Sequence, residues 1–148
     1  MVTMNSARLS MRLNNPMAEV WRDVAGYEGL YQVSNQGNVR SIDRTITDGC
    51  RTRLYKGKHL KQFIDHRGYK VVTLSNQGKL KQIKVHRLVA AAFIPNPNGY
   101  PEINHKDERK CNNLVENLEW CTTQYNTSYG TRASRMVATK RMKTAVAV

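Results

Sequence analysis

Residues 103–126 read INHKDERKCNNLVENLEWCTTQYN, and this stretch decides how the chain folds. It opens on an apolar residue that is followed by Asn104 and His105. A polar, turn-rich loop comes next, and then the short piece NLEWC, whose Leu118 and Trp120 would lie on one side of an extended strand. The pattern predicts two short strands joined by a loop.

A helix is predicted directly after the second strand. Thr122 or Thr123 can be its N-cap, because a threonine hydroxyl accepts a hydrogen bond from a free amide of the first helical turn. The helix would then begin near Gln124 and carry Asn126 in its first turn. The whole unit is therefore predicted to be strand, loop, strand and helix.

The residue types in this unit suit a reactive site. Packing of the two strands on the helix would bring together Asn104, His105, Asn117 and Asn126. A histidine accepts a proton near neutral pH, and a carboxamide oxygen is a hard, neutral ligand suited to Mg²⁺ or Mn²⁺. Another amide can accept a hydrogen bond from the far ring nitrogen of the histidine. The alternative interpretation is an ordinary surface histidine in a turn.

Four other polar residues are interpreted differently. Asn112 and Asn113 are predicted to form turns, because asparagine favours turns and tolerates positive φ. Asp107 is predicted to cap the loop, and the alternative is that it lends charge to a metal. His86, farther upstream, is assigned a structural or phosphate-contacting role, since no other residue of its segment completes a site.

The segment upstream changes from strand to helix periodicity. Extended pieces flank the turns at 35–37 and 76–78, which predicts antiparallel hairpins, and in the last strand Leu80 and Ile83 are predicted to face inward. Residues 85–94 then place apolar side chains on one face of a helix. The order of elements indicates an α+β fold.

The chain has 148 residues and a formal net charge of +13, and the charge is unevenly placed. Eleven Lys and Arg but one acid lie between Arg51 and Arg87, and no acid follows Glu119. Such segregation favours a polyanionic partner, most often a nucleic acid.

Other bulk properties exclude several classes of protein. Three cysteines without a C-x-x-C pair argue against a disulfide framework and a zinc knuckle. No apolar run approaches the roughly 18 to 20 residues of a membrane span, and residues 1–16 contain no apolar core of a secretory signal. The protein is expected to be cytoplasmic, with no membrane partner and free thiols.

Taken in order, these motifs resemble the HNH nuclease family, most closely its phage intron-homing nickase branch. The series is N-H-x-D at 104–107, N-N at 112–113, N-L-x-W at 117–120 and Asn126 on the helix. The preceding WRDVAGYEGLYQVSNQGNVRSIDR is similar to the DNA-binding module NUMOD4, and VHRLVAAAFIPNP resembles the linker helix that follows it.

The resemblance covers about residues 18–128, and with the two flanking segments it implies an architecture of four parts. These are a disordered lead-in at 1–17, a β-hairpin DNA-binding module at 18–84, a linker helix with a ββα-metal nuclease unit at 85–128, and a basic tail at 129–148. It also implies a phage-encoded, homing-like endonuclease that nicks or cleaves double-stranded DNA. A monomer with one active centre should nick, although the oligomeric state is left open.

The roles of the site residues follow from the same resemblance. His105 would be the general base, and Asn117 would orient it through its side-chain oxygen. Asn126 and Asn104 would bind one Mg²⁺ or Mn²⁺ ion, with no zinc expected. Position 104 is often Asp in this branch, so the neutral Asn104 leaves a second possibility, a non-catalytic DNA-binding protein with a degraded site. A third, an RNA-binding accessory protein, is disfavoured by the low aromatic content.

Basic residues of the hairpins and around the site would bind the DNA backbone and make binding dependent on salt. The predicted DNA-binding residues are Arg40, Arg44, Lys56, Lys58, Lys61, Arg67, Lys70, Lys79, Lys81, Lys84, Arg87 and Arg109.

Overall fold

The computed structural model describes residues 18–131 together with positions 134 and 138. The predicted lead-in at 1–17 and most of the predicted basic tail lie outside the described residues. In the described part, small antiparallel sheets are combined with few helices, so the predicted α+β class is confirmed.

The first sheet contains the predicted hairpin around residues 35–37. Its strands, in the order β1-β2-β3, are β1 (Trp21–Asp23), β2 (Tyr31–Ser34) and β3 (Val39–Ser41). Gly37 in the turn has a φ of +83°, and a Cβ there would meet the Asn113 side chain at 2.8 Å. A glycine is therefore required where this hairpin touches the loop of the 103–126 unit.

The next hairpin along the chain has no counterpart in the sequence predictions. It consists of β4 (Arg44–Asp48) and β5 (Arg51–Tyr55), paired from Arg44↔Tyr55 to Asp48↔Arg51. Nearly all its side chains are exposed, so it forms a ribbon outside the core. The sequence pattern is weak here because neither face of the ribbon is buried, and alternation of apolar residues arises only where one face packs.

The third sheet contains the second predicted hairpin, and its order is β6-β7-β8. The strands are β6 (Phe63–Ile64), β7 (Lys70–Asn76) and β8 (Lys79–Lys84). The prediction for Ile83 is confirmed, since it pairs with the buried Val72 and packs on the core. The prediction for Leu80 is wrong, because this side chain is 74% exposed. Residues 80 and 83 are an odd number apart and so lie on opposite faces of a strand.

Helix α1 (Val85–Phe93) confirms the predicted helix and lies at the centre of the core. Val85, Val89 and Ala90 are fully buried. They belong to one hydrophobic cluster that also contains Val33 of β2, Leu74 of β7 and residues of the 103–126 unit. The segment that the sequence presents as a linker is therefore the packing surface shared by both halves.

The decisive stretch folds as predicted into strand, loop, strand and helix. Strands β9 (Glu102–His105) and β10 (Leu118–Cys121) are antiparallel, with His105 opposite Leu118 and Asn104 opposite Glu119. Helix α2 (Thr123–Ser128) follows, and the hydroxyl of its N-cap Thr122 accepts a hydrogen bond from the Tyr125 amide at 3.2 Å. No helix in the described part of the chain is long and apolar enough to cross a membrane.

Candidate functional site

His105 is held at the end of β9 and is 6% exposed. Its Nε2 lies 3.1 Å from Oδ1 of Asn113, which is itself 3% exposed. An amide oxygen only accepts hydrogen bonds, so Nε2 carries the hydrogen and Nδ1 keeps its lone pair. Nδ1 is therefore the ring atom that can accept a proton.

The surroundings of His105 favour its neutral form. Burial lowers the pKa of His105, whereas the hydrogen bond with Asn113 and the charge of Asp107 act in the opposite direction. The net direction is downward. Near neutral pH the ring is consequently in the state that a general base requires.

Asn117, which was expected to orient His105, contacts the loop in this structure. Its Oδ1 accepts a hydrogen bond from the Asp107 amide at 3.0 Å, and its Nδ2 donates to Asp107 Oδ1 and to the Asn112 carbonyl, each at 2.9 Å. Asn117 therefore holds the loop together, and Asn113 is the amide that contacts His105. The 3-10 turn at Val115–Asn117 places Asn117 against the loop rather than against the imidazole.

Three loop residues, Asp107, Asn112 and Asn113, had been interpreted from the sequence as structural. The structure agrees for Asp107 and Asn112. Asp107 accepts hydrogen bonds from the Arg109 amide at 2.8 Å and from Asn112 Nδ2 at 2.7 Å, so it caps the loop as predicted. Asn112 forms part of the same turn, as predicted. Asn113 was missed as a site residue. Adjacent asparagines give no signal of which one is buried, since that depends on the strand that the loop closes over.

A cavity of about 270 Å³ opens beside His105, and its wall includes Asn104 and Asn126. Asn104 is 5% exposed, and its Nδ2 donates to Glu119 Oε1 at 2.7 Å, which directs Oδ1 of the planar amide away from Glu119. Asn126 reaches the same cavity from α2. The structure thus brings together His105 and the two predicted metal ligands.

The donor set fits a small hard cation. Carboxamide oxygens are ligands that Mg²⁺ and Mn²⁺ accept, and Glu108 and Lys110 also line the cavity. Within the described residues, no group of three or more His, Cys, Asp and Glu side chains could hold a metal ion. A metal here would therefore depend on the two amides and on oxygens from water or a substrate.

Two aromatic rings from outside the 103–126 unit pack against His105. His86 of α1 is 5% exposed, and its ring lies edge-on to His105 with a centroid distance of 5.1 Å. Tyr69, from the turn before β7, lies 5.0 Å from His86 and 6.0 Å from His105. Of the two roles assigned to His86, the structural one is supported. Tyr69 had no sequence signal, because only the tertiary fold brings its turn to the site.

The same turn docks on the loop that follows His105. Lys110 Nζ donates to the Arg67 carbonyl at 2.8 Å, and Cys111 Sγ donates to the Gly68 carbonyl at 3.4 Å. The ammonium groups of Lys110 and Lys84 lie 5.0 Å and 4.3 Å from the Tyr69 ring centroid. The β-hairpin half of the chain therefore contributes directly to the wall of the cavity.

The predicted DNA-binding residues differ in how free they are. The Arg40 side chain is held in place by neighbouring residues. Its guanidinium donates twice to Gln32 Oε1, and its Cζ lies 4.1 Å from the ring centroid of Trp21. Lys56 forms an ion pair with Asp43 at 2.9 Å. Arg87 Nη2 lies 3.8 Å from Glu102 Oε2. Lys56 and Arg87 are nevertheless exposed, as are Lys58, Lys61, Arg67, Lys79, Lys81 and Arg109, while Arg44, Lys70 and Lys84 are half-buried.

The β4–β5 ribbon adds two basic residues that the sequence prediction omitted. Arg51 and Arg53 are exposed on β5, across the ribbon from Asp48 and Ile46. With Arg44 at its base, the ribbon carries three arginines on an element of two strands. Arg51 and Arg53 were not predicted because the β4–β5 hairpin was not predicted. Without the hairpin, these residues resemble those of any basic loop.

Comparisons with known proteins agree with this geometry. Residues 19–75 match the NUMOD4 motif. DNA endonuclease I-HmuI of Bacillus phage SP01 is 44% identical over 109 residues, which are 72% of this chain and 54% of that protein. An uncharacterized HNH endonuclease of Acanthamoeba polyphaga mimivirus is 52% identical over 69 residues, which are 47% of this chain and 21% of that protein.

A solved structure gives the same assignment. It describes DNA binding and cleavage by the HNH homing endonuclease I-HmuI, and it matches with a TM-score of 0.60 and 37% identity over 82% of this chain and 68% of that chain. The matched structure is therefore that of an HNH homing endonuclease. The chain belongs to the HNH homing endonuclease family. It spans about half the length of the I-HmuI sequence and a fifth of the mimivirus protein.

Proposed function

We propose that this protein is a metal-dependent endonuclease that nicks double-stranded DNA, with one active centre per chain. The observation that carries the proposal is the position of His105, whose Nδ1 is unprotonated because Nε2 is engaged by Asn113 beside a cavity that also contains Asn104 and Asn126. A general base next to two hard oxygen ligands suits hydrolysis of a phosphodiester.

In the proposed reaction, Nδ1 of His105 removes a proton from a water molecule while the water oxygen attacks phosphorus. The bond from phosphorus to the 3′ oxygen breaks, and that oxygen takes up a proton from solvent, which leaves a 5′-phosphate and a 3′-hydroxyl. Asn113 holds the imidazole in the required tautomer, and the rings of His86 and Tyr69 restrict its orientation. Positioning of this kind supplies much of the acceleration in enzymes.

Asn104 and Asn126 are the residues proposed to hold one Mg²⁺ or Mn²⁺ ion. When bound, such an ion acts as a Lewis acid that stabilises charge on the phosphate and on the leaving oxygen. Both amides are neutral, so the scissile phosphate would supply part of the negative charge that a divalent cation needs.

Duplex DNA is the proposed substrate because basic side chains cover the hairpin half of the molecule. The β4–β5 ribbon is a two-stranded element of the kind that fits the major groove of B-DNA. The turn at 65–69, which carries Arg67, joins this half to the cavity. A strand held by the hairpins would therefore pass close to His105.

The proposal is tested by strand-specific cleavage of supercoiled plasmid and of phage or host DNA with Mg²⁺, Mn²⁺ or a chelator. His105→Ala is expected to abolish nicking and to leave DNA affinity intact, because the side chain is buried beside the cavity. His59→Ala is the matched control, since it removes an exposed histidine that packs on Trp21 outside the cavity. Cleavage retained by His105→Ala would disprove the assignment of the base. DNA binding without metal-dependent cleavage in the natural chain would support a non-catalytic protein instead.

A further inference from the structure

The three side chains proposed to act at the cavity carry no negative charge. Asn104 and Asn126 are amides, and His105 is neutral with its proton on Nε2. Lys110 adds a positive charge at the cavity wall. A divalent cation is poorly held by neutral ligands alone, because binding sites for hard cations depend on carboxylate charge. In the absence of DNA, an acid near the site would therefore have to offset this deficit.

Glu119 occupies the position behind Asn104. The two residues are directly opposite each other on β9 and β10, and Asn104 Nδ2 donates to Glu119 Oε1 at 2.7 Å. Asn104 is almost fully buried, whereas Glu119 is half-buried, so the carboxylate backs the amide without forming part of the cavity wall. The hydrogen bond polarises the amide and increases the negative charge on Oδ1.

Glu119 also contacts the helix that carries the other amide. Desolvation and the charge of Glu119 together raise the pKa of the Tyr125 hydroxyl on α2. The carboxylate is therefore placed between β9, which bears Asn104, and α2, which bears Asn126. A single acid fixes the orientation of one amide and lies close to the element of the second.

Two other acids lie close to the site, but their carboxylates are engaged elsewhere. Asp107, whose charge acts on His105, accepts hydrogen bonds from the Arg109 amide and Asn112 Nδ2. Glu108 lines the cavity and is bound to the chain after α2. Oε1 accepts hydrogen bonds from the Thr131 amide and hydroxyl at 2.9 Å and 3.1 Å, and Oε2 accepts one from the same hydroxyl at 2.9 Å. These contacts hold the chain after α2 against the loop. The Glu108 carboxylate is thus hydrogen-bonded to Thr131, whereas the Glu119 carboxylate is hydrogen-bonded to the Asn104 amide.

We infer that Glu119 is the positioning residue of the metal site, orienting Asn104 Oδ1 toward the ion and supplying the negative charge that the amide ligands lack. The inference rests on the proposed nuclease function and assigns a role to a residue outside the cavity wall. Residues behind metal ligands commonly change metal affinity by about 10- to 100-fold when they are replaced.

The test measures the dissociation constant of Mn²⁺ for the full chain without DNA, from the electron paramagnetic resonance signal of the free ion. Glu119→Gln keeps a carbonyl oxygen that can accept from Asn104 but removes the charge, and it is expected to weaken Mn²⁺ binding by about 10- to 100-fold. Asn104→Asp is expected to strengthen binding. The double variant Asn104→Asp with Glu119→Gln has the charge of the natural site and is expected to restore affinity.

Glu102→Gln is the matched control, because it removes a charge from the same strand two residues from Asn104. It is expected to leave Mn²⁺ affinity essentially unchanged. The inference is wrong if Glu119→Gln binds Mn²⁺ as the natural chain does, or if Glu102→Gln weakens binding as much. Thermal denaturation of each variant establishes that it is folded.

The outcomes separate this inference from the proposed function. If the natural chain binds Mn²⁺ through Glu119 but does not cleave DNA, the nuclease proposal fails and the role of Glu119 stands. If the natural chain cleaves DNA and Glu119→Gln neither loses Mn²⁺ affinity nor slows cleavage, the role of Glu119 fails alone.

Discussion

At the scale of single residues, the asparagines of the loop between β9 and β10 make different contacts. Asn117 and Asp107 close the loop through mutual hydrogen bonds. Asn113 is buried with its oxygen on His105. Asn113 and Asn117 are both amides of one loop, so their different contacts arise from the direction in which each side chain points.

Replacing the two asparagines should separate these roles. Asn113→Ala is expected to lower kcat by about 10- to 100-fold with little change in KM, because an imidazole released from its partner spends less time in the reactive geometry. Asn113→Asp keeps an acceptor and should recover most of the rate. The measurement is nicking of supercoiled plasmid at several substrate concentrations.

Asn117→Ala is the contrasting variant in this comparison. It should lower the free energy of unfolding by about 1 to 3 kcal/mol, since it leaves backbone and carboxylate partners unsatisfied. A normal rate in Asn113→Ala, together with slow chemistry in a stable Asn117→Ala variant, would reverse the two assignments.

At the scale of elements, the β4–β5 ribbon is separate from the packed body of the protein. It is anchored where Asp43 accepts hydrogen bonds from the Gly57 amide at 2.7 Å and from Lys56 at 2.9 Å. Gly57 is required there, because a Cβ would meet the Ser41 carbonyl oxygen at 2.4 Å. An exposed, basic and firmly anchored ribbon is suited to contact a partner rather than to stabilise the core.

The ribbon should determine part of the salt dependence of DNA binding. Substituting Arg44, Arg51 and Arg53 by alanine is expected to weaken binding and to reduce the slope of log affinity against log salt, by about 0.9 for each phosphate that is no longer neutralised. Thr47→Ala with Thr52→Ala, on the same ribbon, is the uncharged control. If the slope of log affinity against log salt is unchanged in the arginine variant, the DNA does not contact the ribbon.

At the scale of the whole molecule, both halves share one hydrophobic core through α1. The buried cluster includes Val33 and Leu74 from the hairpin half and Ile103 and Leu118 from the other half. His86 lies within this helix with a pKa lowered to about 3, chiefly because burial disfavours the charged ring and also because of nearby His105. Its Nδ1 is buried without a hydrogen-bond partner among the described residues.

Acid should therefore destabilise the whole molecule through His86. The pKa in the unfolded chain is near the ordinary value of 6.5, above the folded value of about 3, so the unfolded state binds the proton more readily. The stabilising contribution is complete above pH 6.5 and is lost as pH falls toward 3. Between pH 7 and pH 5 the loss should be about 2 kcal/mol.

Urea unfolding at the two pH values measures this effect. Both Trp21 in β1 and Trp120 in β10 serve as fluorescent reporters of the two halves. His86→Phe keeps a ring of similar size and should show a smaller loss between pH 7 and pH 5 than the natural chain. Equal losses in the two proteins would exclude His86 as the titrating group.

The sequence by itself determined the strand–strand–helix unit, the helix at 85–93 and the two hairpins at 35–37 and 76–78. In each of these, one buried face imposes a period on the apolar residues, and a period is visible in a linear sequence. The residue types around His105 likewise indicated a general base and hard oxygen ligands.

Only the tertiary structure decided which amide contacts His105, that Tyr69 and His86 pack on it, that Leu80 is exposed, and that Glu119 lies behind Asn104. These facts depend on strand register and on the docking of segments far apart in the chain. No local pattern encodes them, because the energy of such contacts arises only when the core around α1 has closed.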